Sequence, residues 1–297
     1  MFYAPFKLRE SNRLKTPKGP KLGWWVSSTR IDIAGTELSF RVPSHRPEYR
    51  GYEPVYPERR YTKESLPLRS YYNEEDAAKG RKDNWRSGTL LYHTWAFYGP
   101  WFTGVLSELR LWITLIRPVN YPQKISLFHP RALEKIIGDY LDSLYSHQIG
   151  LDGRQVFIGP MNWQPLSHLP VNTVRLEVAP HTPYAPTGST DNFVFFPLAD
   201  DLMVRFRFDP SRFLNLPQEE VDKLVDIQPM HDLMNDIINS IQVKLSPEAQ
   251  ARQAKALEGL ADTSLAKEFP PLKWDKLSEE ETETILMEAQ NPNVRAR

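Results

Sequence analysis

The sequence predicts an α+β fold: a mostly antiparallel sheet with packed helices, a long irregular insertion near the N-terminus and a helical extension at the C-terminus. Three observations carry this. Several stretches alternate apolar and polar residues at period two and come in pairs joined by turn residues. Two others carry apolar stripes at helical spacing. Residues 44–86, rich in Pro, Tyr, Arg and Glu, follow neither period.

The chain divides into a basic leader over 1–28, one α+β domain over 29–245 with its insertion at 44–86, and a helical extension over 246–297. In "TRIDIAGTELSFRVP", Ile31 and Ile33 alternate with polar neighbours, Gly35 turns the chain, and Leu38, Phe40 and Val42 alternate again up to Pro43. That is a two-stranded hairpin. The insertion that follows is read as a surface loop, functional or mobile because loops of this length are uncommon inside a compact domain.

Gly88 to Pro118, "GTLLYHTWAFYGPWFTGVLSELRLWITLIRP", is the most apolar stretch. Ser87 to Ser107 holds no Asp, Glu, Lys or Arg, about the length a bilayer requires. Gly99-Pro100 interrupts it, and a spanning helix would lose hydrogen bonds there. Beyond the interruption, Val105, Ser107, Leu109, Leu111, Ile113 and Leu115 share one parity, and Glu108, Arg110, Trp112 and Thr114 the other. Two antiparallel strands turning at "YGPW", in a sheet covered on one face, explain this better than a membrane span.

Further along, Pro130 opens a helix whose stripe is Leu133, Ile136, Ile137, Tyr140, Leu141 and Leu144. "RQVFIG" and "NTVRLEVAP" read as strands. "NFVFFPLADDLMVRFRFDP" reads as a hairpin turning near Ala199-Asp200-Asp201. The two aspartates are turn formers whose side chains diverge, not an acid/base pair. "QPMHDLMNDIINSIQVKL" is an amphipathic helix with Met230, Leu233, Met234, Ile237, Ile238 and Ile241 inward. After Ser246-Pro247, "EAQARQAKALEGLADTSLA" reads as helix. An acidic helix over 278–290 opens with the capping box Ser278…Glu281.

Composition narrows the chemistry. There is no cysteine, so disulfides, zinc–thiolate sites and thiol nucleophiles are excluded. The N-terminus lacks a signal-peptide pattern, so the cytoplasm is the expected compartment. The seven histidines (His45, His93, His129, His147, His168, His181, His231) include no helical zinc pair. Nucleophile-elbow, dinucleotide, Walker and kinase motifs are missing. No catalytic residue, cofactor or metal is therefore assigned. His93 with Glu108, on facing strands, is the one dispersed histidine–carboxylate pair considered, and it keeps a hydrolase as the alternative.

Net charge is zero but uneven: residues 1–86 carry 18 Lys/Arg against 11 Asp/Glu, and residues 215–297 carry 9 against 16. Basic residues never cluster beyond pairs, so nucleic acid is not the expected partner. Trp24, Trp25, Tyr49, Tyr52, Tyr56, Arg59, Arg60 and Tyr61 concentrate in the N-terminal region. Tyr, Trp and Arg are the residues enriched at interface hot spots, which makes these eight the candidate partner-binding residues. The competing reading is a loop pinned to its own domain by buried rings.

Two segments, "TRIDIAGTELSFRVP" (29–43) and "MHDLMNDIINSIQVKL" (230–245), resemble the PsbP-like or DcrB-like α/β/α sandwich. In that family an antiparallel sheet is commonly finished by such a helix, with Ser-Ile near its end. The likeness in element order covers about 29–43 and 190–245, and the insertion and the C-terminal extension depart from it. The resemblance implies non-enzymatic work. Bacterial members include adaptor chaperones for type VI secretion effectors, and proteins of this general kind also serve as immunity proteins that plug a toxin. The expectation is a specific protein partner, such as a secreted toxin. A structural subunit of a phage or secretion particle is a further alternative.

Overall fold

The computed structural model describes residues 13–49, 53–70, 84–100, 103–119, 126–150, 155–181, 189–214, 216 and 218–272. Eleven strands form two sheets, with four helices in the described residues. The strands are β1 (Ser28–Ile33), β2 (Thr36–Arg41), β3 (Arg60–Tyr61), β4 (Arg69–Ser70), β5 (Trp85–Tyr98), β6 (Val105–Pro118), β7 (Phe157–Leu166), β8 (Thr173–Pro180), β9 (Asp191–Ala199), β10 (Leu202–Arg212) and β11 (Gln242–Lys244). The helices are α1 (Pro130–Tyr145), α2 (Gln218–Leu224), α3 (Gln228–Asn239) and α4 (Pro247–Leu257). The larger sheet runs β4-β5-β6-β10-β9-β8-β7, antiparallel throughout; the smaller runs β11-β2-β1-β3, antiparallel except for the β1–β3 pair. The α+β, mostly antiparallel expectation holds.

Alternation decides the packing. On β9, Val194, Phe196 and Leu198 enter one apolar core while Phe193 and Phe195 enter another. On β10, Leu202, Val204, Phe206 and Phe208 join the first and Met203 the second. The first core lies between the two sheets and is closed by α3, whose Met230, Leu233, Met234, Ile237 and Ile238 are buried. The second lies under α1, whose Leu133, Ile136, Ile137, Tyr140 and Leu141 pack on β8 and β9. Each fully buried Phe contributes about 1.5–3 kcal/mol relative to an exposed one.

The apolar stretch over 88–118 is the β5–β6 pair, in register from Trp85↔Pro118 to Tyr98↔Val105. No helix of the described residues is long and apolar enough to cross a membrane. One expectation needs correcting: the sheet is covered on both faces here. Glu108 is fully buried and Thr114 nearly so, on the face that alternation assigned to water.

The β1–β2 turn has two residues, Ala34 and Gly35, both at positive φ, as a tight hairpin with right-handed twist requires. Asp32 braces it by accepting from the Gly35 amide at 2.7 Å. The helix predicted through Ile241 ends earlier: α3 stops at Asn239, Ser240 caps back onto Ile237, and Gln242–Lys244 become β11 against β2.

Residues 44–86 are not one loop. They contain β3, β4 and the start of β5, and their backbone covers the edge of β5. Arg46 exchanges hydrogen bonds with Thr94 and Ala96, and Val55 pairs with Tyr92. Lys18, from the leader, pairs with Tyr98. An open edge would template association, so covering it closes the sheet. Residues 71–83 lie outside the described set.

Among the described residues the C-terminal extension is helical through α4 alone. Residues 258–272 then run as a strap over the second core. Leu265 is buried there, and Phe269 stacks on Trp163 with centroids 4.8 Å apart. The Trp163 indole donates to the Ala266 carbonyl at 2.9 Å, and the Leu272 amide donates to the Gly159 carbonyl at 2.8 Å. Gly138, at the middle of α1, faces Phe269 and Leu272 of this strap, and a Cβ there would meet both at ordinary contact distance. The expected acidic helix over 278–290 lies outside the described residues.

Candidate functional site

Two regions have side chains that the apolar cores do not explain. The first lies on the α1-side face of the large sheet. There β10 places Arg205, Arg207 and Asp209, opposite Thr114, Trp112 and Arg110 of β6. Arg205 donates to the Tyr140 hydroxyl at 2.7 Å and to Thr114 at 3.2 Å. Arg207 grips Asp191 with two bonds of 2.8 and 3.0 Å. Its guanidinium lies 5.1 Å from the centroid of the Trp112 ring, and Tyr92 stacks on the same indole at 5.0 Å. The Tyr145 hydroxyl completes the cluster by donating to Asp191 at 2.6 Å. Burial pushes the Asp191 carboxyl above its usual range, against the pull of Arg207, and pushes the Tyr145 hydroxyl up strongly.

One row further, Arg110 serves two carboxylates, Glu108 at 2.8 Å and Asp209 at 3.4 Å. Asp209 also accepts from Ser211 at 3.0 Å and from Ser189. Glu108 is fully buried, and its Oε2 has no hydrogen-bond partner among the described residues. Arg110 and Arg207 thus pair with three carboxylates, while Arg205 is held by the Tyr140 and Thr114 hydroxyls. Such an arrangement neutralises itself; it orders the sheet and leaves little free charge for a substrate. Among the described residues no three His, Asp or Glu side chains gather as metal ligands.

His93 and Glu108 do not meet. His93 pairs with Leu111, and Glu108 pairs with Ala96, so the two side chains leave opposite faces of the sheet. His93 Nδ1 is 3.3 Å from the Pro43 carbonyl, and its ring lies among His45, Tyr56 and Trp95 at 5.2–5.8 Å. Burial, aided by His45, lowers its pKa to about 4, so it is neutral at pH 7. The hydrolase alternative loses its one candidate pair. Asp200 and Asp201 diverge as expected: Asp200 accepts from Ser126, and Asp201 pairs with Arg117 at 2.9 Å. They border a cleft of about 320 Å³ beside the β1–β2 turn and α4.

The second region holds the residues predicted from sequence, and the structure separates them. Tyr61 is buried in the first core, with its hydroxyl accepting from the Glu58 amide at 2.9 Å. That removes it from the contact surface. Arg60 is exposed and lies 3.5 Å from Asp32, and Arg59 is exposed beside it. Tyr56 is exposed but leans on His93, and Tyr49 is exposed. Tyr52 lies outside the described residues. Trp24 and Trp25 stand together, edge to face at 6.0 Å, and are 90% and 68% exposed. Their turn is fixed from behind: Arg41 donates to the carbonyls of Gly23 and Val26, and the Val26 amide donates to Gly23 at 3.1 Å. Arg205, Arg207 and Asp209 alternate with Val204, Phe206 and Phe208 along the sequence, a signal that marks polar positions but does not show that Arg205 and Asp209 are buried and Arg207 half-buried.

The fold and these regions define an α+β protein of two antiparallel-rich sheets with helices on both sides of the larger one. No family model, curated protein or solved structure matches the chain.

Proposed function

We propose that this is a non-enzymatic binding protein that forms a stable complex with one specific protein partner, acting in the cytoplasm as an immunity or adaptor partner of a secreted bacterial toxin of the type VI kind. The observation that carries the reading is the Trp24–Trp25 turn. Two indoles on a turn braced by Arg41 are pre-organised for contact, so docking them costs little conformational entropy. Exposed tryptophan is where interface energy concentrates. Most charged groups of the large sheet pair with one another, Glu108 Oε2 and Arg205 Nε excepted among the described residues, and a largely self-paired set favours a scaffold over a catalyst.

The test is co-purification from the native cell, followed by reconstitution with the captured protein and calorimetric titration. The expected result is a stoichiometric complex whose affinity falls at least tenfold, about 1.4 kcal/mol or more, in Trp24→Ala/Trp25→Ala. A chain that elutes alone under gentle conditions, or a double variant that binds as tightly as the parent, overturns the reading.

A further inference from the structure

The surroundings of the two indoles indicate the chemistry of the partner. From Ser11 to Ile31 the chain carries Arg13, Lys15, Lys18, Lys21 and Arg30 and not one acidic residue. Lys18, Lys21 and Arg30 are exposed, and none has a carboxylate partner among the described residues. Arg46, also exposed, adds a fourth cation where the insertion joins the leader: it lies 5.5 Å over the Tyr98 ring, and Tyr98 is paired with Lys18. Several cations elsewhere on the surface are paired, as in Lys63–Glu248, Lys135–Asp139 and Lys223–Glu220, whereas the stretch from Ser11 to Ile31 supplies no acid of its own. Asp226 accepts from Thr16 at 3.0 Å, at the end of the segment away from the tryptophans.

We propose that the Trp24–Trp25 turn is the apolar centre of an interface for an acidic protein surface, with the indoles entering an apolar slot while Lys18, Lys21, Arg30 and Arg46 meet carboxylates around it. This rests on the partner-binding reading and adds the sign of the partner's charge. The physical ground is complementarity. Unpaired like charges around an apolar anchor repel a basic or neutral-rimmed partner and accelerate encounter with an acidic one, an effect that weakens with salt. Cations at the rim set the rate of association, and the desolvated indoles set the lifetime of the complex.

Two measurements test the proposal. In the first, fluorescence of the intact protein is quenched with iodide and with caesium, and the same is done for Trp24→Phe/Trp25→Phe, so that the difference reports these two indoles. Divided by the same ratio for free N-acetyltryptophanamide, the iodide-to-caesium quenching ratio of these indoles is expected to be at least about threefold at low ionic strength, and to fall toward one in Lys18→Glu/Lys21→Glu. A normalised ratio of one or less in the parent protein overturns the proposal whatever the partner is. In the second, the association rate with the captured partner is followed from about 50 to 500 mM salt. A fall of about tenfold or more that flattens in Lys18→Glu/Lys21→Glu supports it. A rate indifferent to salt and to charge reversal, with binding still lost on removing the tryptophans, overturns the acidic-partner inference and leaves the binding reading intact. Partner-free self-association that disappears in the tryptophan variant would instead make the occupant a second copy of this chain, and it too would overturn the proposal.

Discussion

Arg205 and Asp209 are buried and Arg207 is half-buried in this protein, while Trp24 and Trp25 lie outside it, against the usual preference of each residue type. The difference lies in what surrounds each group. The inner charges are matched across adjacent strands, with Asp191, Tyr140 and Arg110 placed to satisfy them. Their cost is desolvation, and their return is a sheet that fits in one register only. The outer indoles meet each other, and Trp25 also lies over Gly23, on a turn that Arg41 holds still. The first region is committed to the fold, and the second is available to something outside it.

The largest effect is expected from breaking the inner set one-sidedly. Arg110→Met leaves Glu108 and Asp209 buried without their cation and should cost about 3–5 kcal/mol in urea unfolding. Adding Glu108→Gln to that variant should recover part of the loss. If the double variant is no better than the single one, the two side chains are not coupled and the charge-matching account fails.

Trp163→Ala removes the stacked partner of Phe269 and the donor to Ala266, and should cost about 3 kcal/mol. Amide exchange over residues 258–272 should quicken more than exchange in α3, because the strap loses its anchor while the inter-sheet core keeps its contacts. Uniform acceleration would show that the strap is not a separable element.

His93 supplies the pH dependence. Its folded pKa of about 4 lies below the unfolded value of about 6.5, so the folded state resists protonation. The associated stability is complete above pH ~6.5 and is lost as pH falls from there toward 4, at most about 3 kcal/mol. His93→Gln should flatten thermal stability across that interval. An unchanged profile would place the acid sensitivity elsewhere.

The smallest stability change belongs to the outer region. Trp24→Ala and Trp25→Ala should each shift unfolding by less than about 0.5 kcal/mol, because the rings bury little on their own protein. A loss above ~1.5 kcal/mol would mean that the indoles support the fold, and the contrast between the regions would disappear.

Much of the framework was legible in the sequence. The β1–β2, β5–β6 and β9–β10 hairpins, the start of α1 and the parity of β10 follow from alternation, helical spacing and turn residues. Less of the candidate site was legible. Tyr61 and Trp24 look alike in a list of aromatic residues, yet one is 5% exposed and the other 90%. Tyr61 is drawn inward because Arg60–Tyr61 pairs with β1 and turns the ring into the core between the sheets, whereas Trp24 is left exposed by the described residues. Short strands such as β3, β4 and β11 have too few residues to show a period and exist because a longer neighbour offers them an edge.

By itself the sequence determined local geometry: which segments alternate, which carry a helical stripe, where turns fall, and that thiol chemistry is absent. The tertiary structure alone decided which polar face would be buried, that Glu108 and His93 would leave opposite sides of the sheet, and that residues 258–272 would close over α1. The reason is that periodicity is a property of neighbours along the chain. Burial and charge pairing depend on groups as distant in sequence as Arg207 from Trp112, or Trp163 from Ala266, which come together only once the strands are ordered.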